Sequence, residues 1–216
     1  MRNMIKAVIF DMNGIIIDDE HIHELAFKES MAPFGINLSH QDYLDCCAGK
    51  TDRSGFKSLS EKFFISLDIN RLLQEKASFY LKLFPTHKKT YSGVIKLISD
   101  LSQKYILALT SSATRSEVNL ITKEYDIYKY FKVTISADEV KKGKPDPEPY
   151  LITCKKLNLI PQQCVVIEDS NSGVLSAKSA GCFCIGITTT HTRQDLEMSD
   201  LVLDSFSDVE KSLLEF

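Results

Sequence analysis

Short apolar runs recur along this chain at residues 5–10, 105–110, 133–136, 164–167, 182–187 and, more weakly, 201–203. Each is nearly continuous in apolar residues, as strands covered on both faces are, and several end on turn formers or acidic and hydroxyl residues. Between them lie stretches with helical apolar spacing, at 94–101, 117–125, 149–157 and 174–180. Strand and helix in alternation predict an α/β fold whose core is a Rossmann-like, doubly wound parallel sheet. In open sheets of this kind ligands bind beyond the carboxyl ends of the strands. Residues just after the first, second and fourth runs are therefore expected to meet at one site.

The alternation breaks between residues 17 and 86, where helical patterns at 21–31 and 72–84 stand without a strand. Pro85-Thr86-His87 and Tyr91-Ser92-Gly93 then punctuate the return. The reading is a core of residues 1–16 and 87–216 with a helical insertion at 17–86. With 216 residues, 44% of them hydrophobic, the chain can close one sizeable core and a modest second unit.

A net charge of −3, from 26 basic and 29 acidic side chains, gives no surface suited to tracking nucleic acid or an anionic membrane. The apolar runs fall far short of the ~20 residues of a membrane span. The N-terminal residues run straight into a strand and an acidic loop, unlike a secretory signal. A cytoplasmic, monomeric protein with a small soluble partner is expected. The six cysteines form no CxxC pair and lack histidines at zinc-finger spacing, so they are read as reduced, buried packing residues, with Cys182 and Cys184 sharing one strand face.

Asp11 follows the first run, and a carboxylate there can attack phosphorus if a cation offsets its repulsion from the phosphate. Glu168 and Asp169 close the fourth run and bring further hard oxygen donors to the same edge, the kind that magnesium prefers. Thr110, Ser111 and Ser112 follow the second run and offer hydroxyls and backbone N–H groups near the start of a helix, where anions are favoured. Lys144, within Lys-Lys-Gly-Lys-Pro-Asp-Pro, can offset negative charge on nucleophile and phosphate. Each residue also has a plainer reading: Asp11 and Asn13 closing a turn, Thr110 or Glu168-Asp169 capping a helix, Lys144 as a solvated surface charge.

Taken in order, these strings resemble the haloacid dehalogenase superfamily of phosphatases and phosphomutases. Phe10-Asp11-Met12-Asn13-Gly14 is similar to the first motif, Leu109-Thr110-Ser111-Ser112 to the second, Lys144-Pro145 to the third and Ile167-Glu168-Asp169-Ser170 to the fourth. The insertion resembles the family's helical cap. With the string Asp18-Asp19-Glu20-His21-Ile22-His23, it looks most like the β-phosphoglucomutase-like group. The resemblance implies that Asp11 forms an aspartyl-phosphate and that Asp11, the Asn13 backbone carbonyl and Asp169 bind Mg2+, with Glu168 as a nearby or additional ligand. Thr110 and Lys144 would hold the phosphoryl group, assisted by Ser111 and Ser112. Cap residues would contact the rest of the substrate: Lys50 and Arg53 in Gly49-Lys50-Thr51-Asp52-Arg53, Lys76, and His23. That loop also reads as a helix N-cap at Thr51 or Asp52 with exposed basic neighbours.

Position 13 departs from the family, which normally carries there an aspartate that protonates the leaving oxygen and later activates water. An amide has no proton to exchange, and such assistance is commonly worth roughly 10² to 10⁴ in rate. The readings left open are another proton carrier (His23, Asp18 or Asp19), a substitution introduced in place of aspartate, and a chain that binds without fast turnover. The expected function is Mg2+-dependent hydrolysis of a small phosphorylated metabolite such as a sugar phosphate. The alternatives are a mutase, a metal-free dehalogenase and a non-catalytic phosphate-ligand-binding protein.

Overall fold

The computed structural model describes residues 5–48 and 50–213. In chain order the elements are β1 (Ala7–Phe10), α1 (Glu20–Met31), α2 (His40–Cys46), α3 (Asp52–Lys62), α4 (Ile69–His87), α5 (Val94–Leu101), β2 (Ile106–Thr110) and α6 (Arg115–Glu124). They continue with β3 (Phe131–Ile135), α7 (Glu148–Leu157), β4 (Cys164–Glu168), α8 (Asn171–Ala180), β5 (Phe183–Ile187), β6 (Leu201–Leu203) and α9 (Val209–Ser212). The chain divides into two compact units, one formed by the chain up to Asp18 and from Thr90 onward, the other by Asp19–Lys89.

The first unit is the parallel sheet that the alternation predicts, in the order β3-β2-β1-β4-β5-β6. All four residues of β1 are fully buried, which a strand covered on both faces requires. Phe10 lies opposite Leu109 of β2 on one side and Ile167 of β4 on the other. The Asp11 N–H donates to the Ile167 carbonyl at 3.0 Å. Asp11, Thr110 and Glu168 therefore end their strands at one level, where the strand order reverses, which is where open sheets of this kind bind ligands.

Ala7, Ile9, Ala108, Cys164, Val166 and Cys184 form one apolar layer with Tyr150 and Cys154 of α7 and Val174 and Ala177 of α8. All six cysteines are free and buried. Cys154 Sγ lies 3.7 Å from both Cys164 and Cys182, so these thiols serve as small apolar side chains.

The second unit consists of α1 to α4, and its helix starts follow local chemistry. Ser39 and Asp42 form a capping box at α2, Thr51 caps α3, and the Asp68 carboxylate accepts the Arg71 N–H at α4. Phe27, Met31, Leu38, Tyr43, Phe56, Leu59 and Leu72 form its core, with the Phe27 ring centred 4.7 Å from that of Phe56. Pro85 does not end α4, which continues to His87. So near the terminus the missing proline N–H costs one hydrogen bond and leaves the preceding turns intact. Among the described residues no helix is long and apolar enough to cross a membrane.

The turn from β4 into α8 has little spare room. Ser170 caps α8 by accepting the Gly173 N–H at 3.1 Å, and a Cβ on Gly173 would lie 1.7 Å from Glu168 Oε1. Glu168 is fully buried and cannot swing aside without breaking its own hydrogen bonds. Gly173→Ala is expected to lower unfolding free energy by about 1–3 kcal/mol, as overfilled interiors do. An unchanged midpoint in urea unfolding would contradict this account of the turn.

Candidate active site

Three buried carboxylates, from Asp11, Glu168 and Asp169, place ligand oxygens within 4.8 Å of one another at the carboxyl ends of β1 and β4. Lys144 enters this cluster from the loop before α7. Its ammonium donates to Asp11 Oδ1 at 2.6 Å, to Glu168 Oε1 at 2.6 Å and to the Thr110 carbonyl at 3.3 Å, which uses its three protons. Local bonds shape that loop. The Glu148 carboxylate accepts the N–H groups of Lys141 and Lys142, and Ser176 donates to the Asp146 carbonyl at 2.6 Å. Lys144 is thus a buried partner of two carboxylates, and the surface-charge reading is set aside.

Burial pushes the Asp11 carboxyl up to about 7, against the pull of the Lys144 ammonium. Burial and repulsion from Glu168 and Asp11 hold Asp169 well above the usual carboxylate range. Glu168 is buried too, yet Lys144 and its hydrogen bonds keep it below that range. Lys144 itself, despite burial, is raised by its two carboxylate partners. With all groups ionised, three carboxylates face one ammonium, a balance of −2 in a place poor in water. A divalent cation fits both that charge and the hard oxygen donors.

Glu168, expected as a nearby or additional metal ligand, is near but saturated. Its Oε1 accepts from Lys144 and from the Tyr150 hydroxyl at 2.9 Å. Its Oε2 accepts from the N–H groups of Asp169 and Ser170 and from the Ser170 hydroxyl. A carboxylate offers about four lone-pair sites, so Glu168 is better described as the bracket that holds Lys144. Asp11 and Asp169 remain as the carboxylates suited to a cation, beside the Asn13 loop, whose backbone the Asn13–Ile17 bridge shapes.

Thr110, expected to hold the phosphoryl group, has its hydroxyl engaged away from the carboxylate cluster. Its hydroxyl is fully buried and lies 2.7 Å from that of Thr153 on α7, while Thr153 donates to the Pro149 carbonyl. Strand alternation sends Thr110 to the face of Ala108, toward α7, and sends the next side chain the other way. Ser111 is that next residue, and its hydroxyl donates to Asn13 Oδ1 at 3.3 Å. Nor does Thr110 cap α6, since Thr114 does so in a box with Glu117. Ser112 is exposed in the intervening turn.

In the helical unit, Lys76 is wholly buried. Its ammonium donates to both Asp52 carboxylate oxygens at 2.8 Å and to His23 Nδ1 at 2.6 Å, so no proton is left for a ligand. His23 is stacked on Tyr80, with Nε2 3.4 Å from Asp19 Oδ2, which also accepts the Tyr80 hydroxyl at 2.5 Å. Lys50 and Arg53 are exposed and reach the Asp45 carbonyl and Asn70 Oδ1. Gly49 lies outside the described residues. The sequence reading missed Tyr150, Thr189 and Thr190. The two threonines follow the carboxyl end of β5, where the same rule that found Asp11 would have pointed.

The pattern of the haloacid dehalogenase-like hydrolases matches residues 8–187. A validoxylamine A 7′-phosphate phosphatase of Streptomyces hygroscopicus subsp. limoneus is 30% identical over 209 residues, covering 95% of this chain and 96% of that one. A phosphorylated carbohydrates phosphatase of Thermotoga maritima is 34% identical over 177 residues, 82% of each. The crystal structure of a Clostridium difficile β-phosphoglucomutase shares the fold with a TM-score of 0.82 at 25% identity, covering 98% of both chains. Joined to the arrangement of Asp11, Lys144, Glu168 and Asp169 at the sheet edge, these likenesses make the chain an enzyme of the haloacid dehalogenase-like hydrolase family, of its phosphatase and phosphomutase kind.

Proposed function

We propose that the protein is a Mg2+-dependent phosphatase of a small phosphorylated metabolite, a sugar phosphate, working through an aspartyl-phosphate on Asp11. The observation that carries this reading is the Asp11 carboxylate held at 2.6 Å by Lys144 beside Asp169. Similarity to phosphatases named for phosphorylated carbohydrates and for a 7′-phosphate supports the substrate class. Asp11, Asp169 and the Asn13 backbone carbonyl would hold the Mg2+, which when bound offsets charge between the nucleophile and the phosphate.

Asp11 attacks phosphorus with one carboxylate oxygen, and the bond from phosphorus to the sugar oxygen breaks. Lys144 stays beside the negative charge as it moves from the carboxylate to the phosphoryl oxygens, aided by Ser111 and Ser112. The leaving alkoxide takes its proton from solvent, because the Asn13 amide has none to give. Water then attacks the phosphoaspartate, releasing orthophosphate and restoring the Asp11 carboxylate. Arg53 and Lys50, expected to contact the non-reacting part of the substrate, are exposed in the helical unit. Lys76 and His23 are assigned to holding Asp52 and Asp19 in place. A mutase reading, supported by the likeness to β-phosphoglucomutase, differs in that a sugar bisphosphate would first phosphorylate Asp11, which then passes the group to a hydroxyl of a sugar monophosphate instead of to water.

Orthophosphate release from a panel of sugar phosphates tests the reading, with and without Mg2+, on this chain and on Asn13→Asp. Release that a chelator abolishes is expected, with turnover raised about 10² to 10⁴-fold in Asn13→Asp. No release by either form, with isomerisation once a sugar bisphosphate is added, would transfer the case to the mutase.

Ser111→Ala is expected to cut turnover about 10²-fold. Thr110→Val should leave turnover nearly unchanged while lowering unfolding free energy by about 1 kcal/mol. The reverse ranking would restore Thr110 to the phosphoryl group.

Because the Asp11 carboxyl is pushed up to about 7, a proton competes with the cation below that pH. With Asp169 raised as well, Mg2+ affinity is therefore expected to fall at least roughly tenfold between about pH 8 and about pH 6. Calorimetric titration checks this, and an affinity flat across the range would rule it out.

A further inference from the structure

We propose that Thr189 and Thr190, adjacent residues after β5, are positioning residues that set the spacing between Asp169 and the Asn13–Gly14 backbone and so select Mg2+ over larger divalent cations. The inference rests on the cation-site reading above and deepens it.

The Thr189 hydroxyl donates to the Gly14 carbonyl at 2.5 Å, with a weaker contact to the Ile187 carbonyl at 3.4 Å. The Thr190 hydroxyl donates to Asp169 Oδ2 and lies 3.4 Å from the Asp169 carbonyl. One stretch of backbone thus grips both halves of the site, the loop after β1 and the carboxylate after β4. Those halves already touch: Gly14 has φ +78°, and a Cβ there would lie 2.0 Å from Asp169 Oδ2. The position of Asp169 is therefore bounded by Gly14 on one side and by Thr190 on another.

The Thr190 hydroxyl also lies 2.8 Å from His191 Nδ1. Thr188, two residues before Thr190, turns instead to Asp204 Oδ1 at 2.7 Å, beside β6. It ties the neighbouring strand end and has no bond to the carboxylate cluster, which makes it an internal control.

Magnesium demands near-ideal octahedral geometry at short distance, whereas calcium accepts longer and more irregular shells. A carboxylate held on two sides suits the first ion, and loosening it should harm the first ion more. Outer-shell partners of metal ligands commonly contribute 10- to 100-fold in affinity.

The experiment is calorimetric titration of the whole chain with Mg2+ and, separately, with Ca2+, for the chain as given and for Thr190→Val, Thr190→Ser, Thr189→Val and Thr188→Val. Thr190→Val is expected to weaken Mg2+ binding about 10- to 100-fold and Ca2+ binding less, so that the preference narrows. Thr190→Ser should restore both, Thr189→Val should narrow the preference as well, and Thr188→Val should alter neither. Metal-free melting of Thr190→Val checks that the variant is folded at the temperature of the titration. Mg2+ binding in the parent with unchanged affinity and preference in Thr190→Val overturns this proposal alone. A parent that binds neither cation overturns the cation-site reading and this inference with it.

Discussion

One buried ammonium orders the sheet edge. Lys144 sits between Asp11 and Glu168 with 6% of its side chain exposed, and no polar solvent replaces those partners if they move. Charges so placed persist only when each is paired and its remaining hydrogen-bonding positions are filled. That condition accounts for much of the surrounding structure. Glu168 is turned inward and saturated by the turn into α8, Tyr150 supplies a hydroxyl from α7, and Gly173 leaves room for the Glu168 carboxylate. The loop carrying Lys144 is in turn held by its own N–H groups on Glu148. An ion pair across 133 residues of sequence thus fixes two helix starts and two strand ends.

The sheet makes this pairing possible by ending its strands together. With Phe10 between Leu109 and Ile167, the next residue on each strand lies at a common level. Side-chain alternation then sorts those residues by face. Asp11 and Ser111 turn toward the acidic cluster, while Thr110 is drawn into the layer with Ala108 and Thr153. A hydroxyl at a strand end is therefore not enough to make a ligand, because a shift of one residue reverses its side.

The helical unit applies the same rule to a different end. Lys76 is a buried cation whose protons all go to Asp52 and His23, and Asp19 closes the chain through His23 and Tyr80. Residues from α1, α3 and α4 are joined by this network across a core that is otherwise apolar. A lysine that looks available on a helical pattern is in fact part of the unit's interior.

From the residues alone one could read the parallel sheet, the helical insertion, and the placement of Asp11, Asp169 and Lys144 as charged groups near strand ends or in a stiff loop. Apolar periodicity and turn formers are local properties, and they state where an element begins, ends and hides its apolar face. The orientation of Thr110, the saturation of Glu168, the burial of Lys76 and the grip of Thr189 and Thr190 on Gly14 and Asp169 were decided only in three dimensions. Each of these turns on which side chain meets which partner many residues away, and no local pattern records whether a donor's protons have already been taken.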